Sequence, residues 1–321
     1  VKNYTFVDYT TQAYSAFVAV LVLSFHNGTV PLWKAVTLAH CAGVVLTHLL
    51  IQAWAANPRN RVLDFLRHFY PVIFYTWFFC ETGSLNRMFF SSYLDPLLIQ
   101  VEQSLFHCQP GLLLMDHLPY VWLSELLYAS YFSYYVMIAG VGIALYVRNR
   151  RQFFHYVSVI SFVFYACYTT YIFVPVIGPR LFFGEMEGYR LPPELLALAD
   201  GRPHPVSIQN GPMFHIMGWI YDNFETPGAA FPSSHVALSL ATVVFSFLYL
   251  PRVKWIHLTF ACLLCVSTVY CRYHYGIDVI AGVLTAAALV PLGHWLYFKF
   301  HRQAAKESVV LTGAQAQVGE Q

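Results

Sequence analysis

The sequence predicts an all-α, polytopic membrane helix bundle of about eight transmembrane helices, and three observations carry that expectation. The chain is 58% hydrophobic and only 11% charged, against about 25% charged in an ordinary soluble domain. Its apolar runs recur at lengths close to the roughly 20 residues a helix needs to cross a bilayer. Its basic residues also alternate: with successive loops assigned to opposite sides, 12 of the 18 Lys and Arg fall on one side. The positive-inside tendency makes that side cytoplasmic, together with both termini.

The expected spans are 11–24, 34–56, 65–80, 120–147, 153–177, 231–250, 253–271 and 279–298. The first and third are short or have polar ends. Between the third and fourth spans, 93–110 mixes Leu, Ile and Phe with Asp95, Glu102 and Gln103, a pattern suited to a helix lying in the interface plane. Between the fifth and sixth runs the longest polar stretch, 178–230, rich in Pro and Gly. A connection of that length inside a compact domain reads as a lid or binding segment, and within it 212–224 is apolar enough to lie on the membrane surface. The stretch 301–321 is a polar tail whose composition suits disorder. Three units result: residues 1–64 with the first two spans, 65–300 with the other six and the lid 178–230, and the tail 301–321.

A net charge of +2 with no basic tract argues against nucleic acid as a partner. Seven cysteines are scattered with no disulfide framework, and Cys262-x-x-Cys265 sits inside an apolar span, where buried inert thiols are the expectation.

Two segments carry the chemistry. In Phe231-Pro232-Ser233-Ser234-His235, Pro232 suits the first turn of a helix. The free N–H groups beside Ser233 and Ser234 would then bind an anion with the help of the helix dipole, with His235 facing it. In Arg272-Tyr273-His274-Tyr275-Gly276-Ile277-Asp278, a helical spacing would put His274 and Asp278 on one face. The carboxylate would then hold one imidazole nitrogen and leave the other free to attack or take a proton. Arg272 adds a cation whose fork suits phosphate oxygens. Both segments fall on the non-cytoplasmic face, where an ionisable cluster beside hydrocarbon is a functional candidate.

These segments resemble the second and third signature motifs of the type 2 phosphatidic acid phosphatase superfamily, Pro-Ser-Gly-His and Ser-Arg-x5-His-x3-Asp. The similarity covers roughly 65–298, a six-helix phosphatase-like core, and leaves the first two spans as an addition. The resemblance implies that His235 is the general acid and that His274 is the nucleophile, forming a phosphohistidine, with Asp278 supporting it. Arg272, Arg180, Ser233 and Ser234 are implied to bind phosphate. The chain departs from the pattern in two places. Ser267-Thr268 stands at the Ser-Arg position, with Arg272 four residues later. The first motif, Lys-x6-Arg-Pro, keeps Arg180 but has Phe173 at the lysine position. The Ser-Ser-His and Arg-Tyr-His-Tyr forms more closely resemble the branch containing fungal inositol phosphorylceramide synthase, an inositolphosphotransferase.

The expected function is therefore an integral-membrane phosphotransferase acting on a phospholipid or lipid phosphate, with an alcohol or lipid as acceptor and no cofactor. A lipid phosphate phosphatase would use the same histidines with water as acceptor. A metal site built from His235, His274 and Asp278 is disfavoured by the neighbouring arginines. A transporter relaying protons through paired histidines is the reading from another class, but such sites lie near mid-membrane. Of the remaining polar residues, Tyr128, Tyr131, Tyr134 and Tyr135 read as packing or a lipid-entry groove. Glu81 and Glu125 read as head-group contacts or solvated groups, and Asp116 and His117 as bystanders.

Overall fold

Helices follow the uninterrupted apolar runs and start where the sequence supplies a cap. A computed structural model describes residues 3–183 and 204–318, with side chains to 302; the middle of the expected lid, 184–203, lies outside the described residues. Helix α1 (Phe6–Phe25) opens on a reciprocal capping box between Thr5 and Asp8, which satisfies amides that the first turn would leave unpaired. Helix α2 spans Trp33–Ala56. Helix α3 (Arg61–Leu85) is capped by Asn60, whose side chain accepts from the Val62 and Leu63 amides. Two short helices, α4 (Asp95–Phe106) and α5 (Pro110–His117), each carry Pro in the first turn. The long pair α6 (Val121–Arg148) and α7 (Arg150–Phe173) is joined by Asn149, which caps α7. Past α7 come α8 (Pro179–Phe182), α9 (Val206–Gln209) and α10 (Pro212–Phe224). The chain then forms α11 (Ser234–Tyr249), α12 (Lys254–Tyr270) and α13 (Gly276–Val318).

The all-α expectation is met: among the described residues there is no strand, only an isolated bridge between Val176 and Ala229. Five helices are long and apolar enough to cross a membrane, namely α1, α2, α6, α7 and the Gly276–Arg302 part of α13; α11 and α12 are shorter and apolar. Helix α3 has the length of a span but begins with Arg61, Asp64, Arg67 and His68. The first polar turns of α3 are accommodated because Arg67 meets Asp8 of α1 at 2.6 Å. Helix α13 continues past the apolar run into the polar stretch whose composition suggested disorder. Its Ala, Gln, Lys and Glu are all good helix formers.

Helix α7 is the centre of the bundle. It buries residues on every face, among them Val157, Ile160, Val163, Phe164, Cys167 and Tyr171, as a helix surrounded by other helices must. It packs against α1, α3, α6, α11 and α13. Helix α2, by contrast, lies against α1 and α3 and exposes Leu38, Val45, Leu46 and Leu49, an apolar face matched to hydrocarbon. The two ends of α7 mark the two ends of the bundle. Phe154 lies near the guanidinium of Arg67, while Tyr171 hydrogen-bonds the start of α11. The 17 residue steps from one to the other span about 25 Å at ~1.5 Å per residue.

Candidate active site

The end of α12 decides where the third segment goes. The amide of Tyr273 donates to Thr268 O at 3.0 Å and that of Arg272 to Val269 O at 3.0 Å, the paired bonds of a Schellman motif. Arg272 occupies the left-handed position, with φ 62°, where glycine is usual and a side chain costs about 1 kcal/mol. The turn reverses the chain and sends the guanidinium inward, to Asp116 Oδ1 at 3.0 Å and Leu112 O at 3.4 Å. Asp116 was expected to be a bystander, and the structure makes it a partner of Arg272.

His274 and Asp278 meet, though not as the sequence spacing suggested. His274 precedes α13, so the two do not share a helical face. Asp278 lies in the first turn of α13 and folds back: its Oδ2 accepts from the Tyr275 amide at 2.9 Å and pairs with His274 Nδ1 at 3.2 Å. A helix-capping contact thereby becomes the support of an imidazole. With Nδ1 donating to the carboxylate, Nε2 carries the free lone pair, a tautomer assigned from these bonds. That Nε2 is 3.5 Å from His235 Nδ1. His274 and Asp278 are both buried.

The second segment reaches the same spot from the start of α11. The Ser233 hydroxyl accepts from the Val236 amide, and its own amide donates to Asp278 O at 3.1 Å. Ser233 therefore caps the helix and ties the two segments together. The Ser234 amide donates to the Tyr171 hydroxyl, which donates in turn to Pro232 O. His235 projects from the first turn against Tyr134 and Tyr131, with ring centroids 4.5 and 4.8 Å away. The tyrosines at 131 and 134, read as packing or groove residues, thus line the candidate acid.

Arg180 arrives by a turn that only glycine permits. Gly178 has φ 87°, and a Cβ there would stand 2.5 Å from Tyr273 O. The close approach lets the Arg180 amide donate to Arg272 O at 2.7 Å, so the two arginine-bearing turns are joined by backbone. The Arg180 side chain pairs with Glu225 and lies over the ring of Tyr221, which stacks on Tyr273 at 4.1 Å. Burial raises the Glu225 pKa, against the pull of Arg180 and, more weakly, of His274. His204 is pushed down to about 4 by burial and then by Arg272 and Arg180, which places a neutral imidazole beside the arginine cluster. Glu225 and His204 belong to the lid, and no motif or spacing singled them out.

Helix α10 is held over this end of the bundle. Glu125 of α6 accepts from the Met213 and Phe214 amides at 2.8 and 3.3 Å, and the Tyr221 and Tyr131 hydroxyls meet. Glu125, read as a head-group contact or a solvated group, is thus the anchor of α10. Chemically, the arrangement offers one imidazole with a buried carboxylate behind it, a second imidazole beside it, and two arginines on connected turns.

A family model described as the PAP2 superfamily matches residues 96–292. No curated protein matches the chain, and no solved structure does.

Proposed function

The chain belongs to the PAP2 superfamily, matched over more than half its length, and on that premise we propose that it is an integral-membrane phosphotransferase acting on lipid phosphoesters through a phosphohistidine. The observation that carries this reading is the convergence of His274 Nε2 and His235 Nδ1 at 3.5 Å, with Asp278 behind His274. His274 Nε2 attacks phosphorus as the P–O bond to the leaving alcohol breaks, and His235 gives that oxygen its proton. An acceptor hydroxyl then attacks phosphorus, the P–N bond breaks, and the hydroxyl proton passes to His235. Each proton transfer of this kind is typically worth about 10²–10⁴-fold. Arg272, Arg180 and the positive end of the α11 dipole hold the phosphoryl oxygens, where electrostatic positioning supplies most of the rate. No step calls for a metal or cofactor.

Transfer is favoured over hydrolysis by the cover that α10 provides. Its Tyr221, stacked on Tyr273 and touching Tyr131, shields the histidines from bulk water and leaves an acceptor to compete for the intermediate. The Lys and Arg distribution supports a non-cytoplasmic orientation for this face. The test is incubation of the purified protein with head-group-labelled phospholipid, with and without alcohol or lipid acceptors and in the presence of chelator. Labelled acceptor is the expected product. Phosphorylated head group alone, whatever acceptor is supplied, would replace the transferase by a hydrolase.

A further inference from the structure

Helix α4 carries a buried face made of Asp95, Leu98, Ile99 and Glu102, residues at i, i+3, i+4 and i+7, which lie on one side of a helix. The two aliphatic residues pack in an apolar cluster with Val176, Ile177 and Tyr275. The acids at either end of this face each take hold of a turn that carries site residues. Asp95 Oδ2 accepts from the Ile177 amide at 3.0 Å, and Oδ1 accepts from the Gly178 amide at 2.9 Å and the Tyr275 hydroxyl at 2.9 Å. Glu102 accepts from the Gly276 amide. The strap is completed by the Leu94 amide, which donates to Pro175 O at 2.8 Å.

The amides of 177 and 178 belong to the turn that aims Arg180. Tyr275 belongs to the turn that places His274, and its own amide donates to Asp278 Oδ2. One carboxylate therefore bridges two segments about 100 residues apart in sequence, one bearing the phosphate arginine and the other the nucleophile. Both of its oxygens already accept N–H or O–H donors. An amide at this position would have to turn its NH2 toward at least one of them, and the geometry could not be kept. Apolar contact alone would hold the helix; the paired acids add fixed directions to two backbone turns.

We propose that Asp95 is a positioning residue of the phosphoryl-transfer site, setting Arg180 and His274 at their mutual distance through the Gly178 amide and the Tyr275 hydroxyl. The assignment rests on the phosphotransferase reading above. It commits α4 to a role in the chemistry that neither signature segment contains.

The test compares wild type, Asp95→Asn, Tyr275→Phe and His274→Ala in detergent micelles, reading kcat, KM, inhibition by orthovanadate as a phosphate mimic, and thermal unfolding. Misplacing a reacting group by about 1 Å costs about 100-fold. Asp95→Asn is expected to lower kcat by ~30–100-fold and weaken vanadate inhibition by ~10-fold or more, with a smaller change in KM for the lipid. Tyr275→Phe removes only the bridge and is expected to lower kcat by ~3–10-fold with its unfolding temperature unchanged. A folded Asp95→Asn whose kcat and vanadate inhibition stay within twofold of wild type overturns the proposal. If Asp95→Asn does not fold, Tyr275→Phe decides: unchanged kcat and vanadate inhibition overturn it, and a loss in both sustains it. If wild type neither turns over nor binds vanadate, the phosphotransferase reading falls and takes this assignment with it.

Discussion

The bundle contains two arginine–carboxylate networks, one at each end, and they are built differently. At one end Arg67 meets Asp8 at 2.6 Å, Tyr70 donates to the other carboxylate oxygen at 2.6 Å, and the Thr5 amide and hydroxyl donate to Asp8 as well. Rings of Trp54, Tyr70 and Phe154 lie around the guanidinium. The carboxylate is fully subscribed, and the helices it joins are fixed. At the other end His274 and Asp278 are 3.2 Å apart and the two imidazoles 3.5 Å apart. Asp278 Oδ1 has no partner among the described residues, and the arginines hold acids borne on a lid and a short helix. The first network has spent its carboxylate on the fold, with both Asp8 oxygens accepting donors. The second leaves one Asp278 oxygen unspent and sets an imidazole nitrogen of His274 against a second imidazole rather than against a carboxylate, and that is the physical difference between a structural and a reactive cluster.

The largest effect that would sharpen this contrast is on turnover. His274→Ala is expected to lower activity by at least ~10³-fold, with loss of any acid-labile phosphoenzyme, because it removes the nucleophile and leaves Asp278 with nothing to orient. Thermal unfolding should change little. A folded variant that still turns over would remove His274 from the mechanism.

The opposite pattern is expected at the other end. Arg67→Met strands Asp8 in a buried site, and breaking such a pair costs about 3–5 kcal/mol. The unfolding temperature should fall clearly while kcat per folded molecule stays near wild type. An unchanged unfolding temperature, or a selective loss of kcat, would erase the distinction between the two networks.

The same contrast explains what the sequence disclosed. Span 34–56 was legible almost to the residue as α2, since its run has no interruption, and 253–271 became α12. Span 65–80 was read short because Arg61, Asp64 and Arg67 look like a loop until Asp8, 59 residues earlier in the chain, supplies the countercharge. At the site, His235, His274 and Asp278 were legible as residue types at set spacings, and the fold brings them together. The manner of their meeting was not legible. The contact between His274 and Asp278 is a capping turn rather than a helix face, and Arg272 reaches inward through a left-handed residue, neither of which periodicity encodes. Asp95 and Glu225 were missed as site residues, and Tyr131 was read only as packing or a groove wall, because each acts on a partner far away in sequence, 83 residues in the case of Asp95 and Gly178.

A smaller effect concerns the acid that Arg180 holds. Glu225 meets the guanidinium where a phosphoryl oxygen is expected to bind, so anion and carboxylate compete for one fork. Glu225→Gln removes the competing charge and should tighten orthovanadate inhibition by ~3–10-fold, an ionic-strength-dependent gain. Unchanged inhibition would mean that phosphate does not use this face of Arg180, and weaker inhibition would make Glu225 part of the binding arrangement.

The smallest effect lies in the pH dependence of stability. Burial, offset in part by their donors, pushes Asp95 and Glu102 each up to about 7, whereas an unfolded chain releases these protons near pH 4. Between those values the folded protein binds more protons than the unfolded one, so the contribution of these groups is complete below pH ~4 and is lost as pH rises through about 7. His204, held down to about 4 by burial and the two arginines, works in the opposite direction over pH ~4–6.5, so the measurement has to be a difference. The unfolding temperature of wild type, minus that of an Asp95→Asn, Glu102→Gln double variant, should decline from pH 4 to pH 7 and level off above it. Parallel curves would show that these two acids ionise in the fold as they do in water. Asp95 and Glu102 would then both be ionised at neutral pH and add two buried negative charges to the network at the site end.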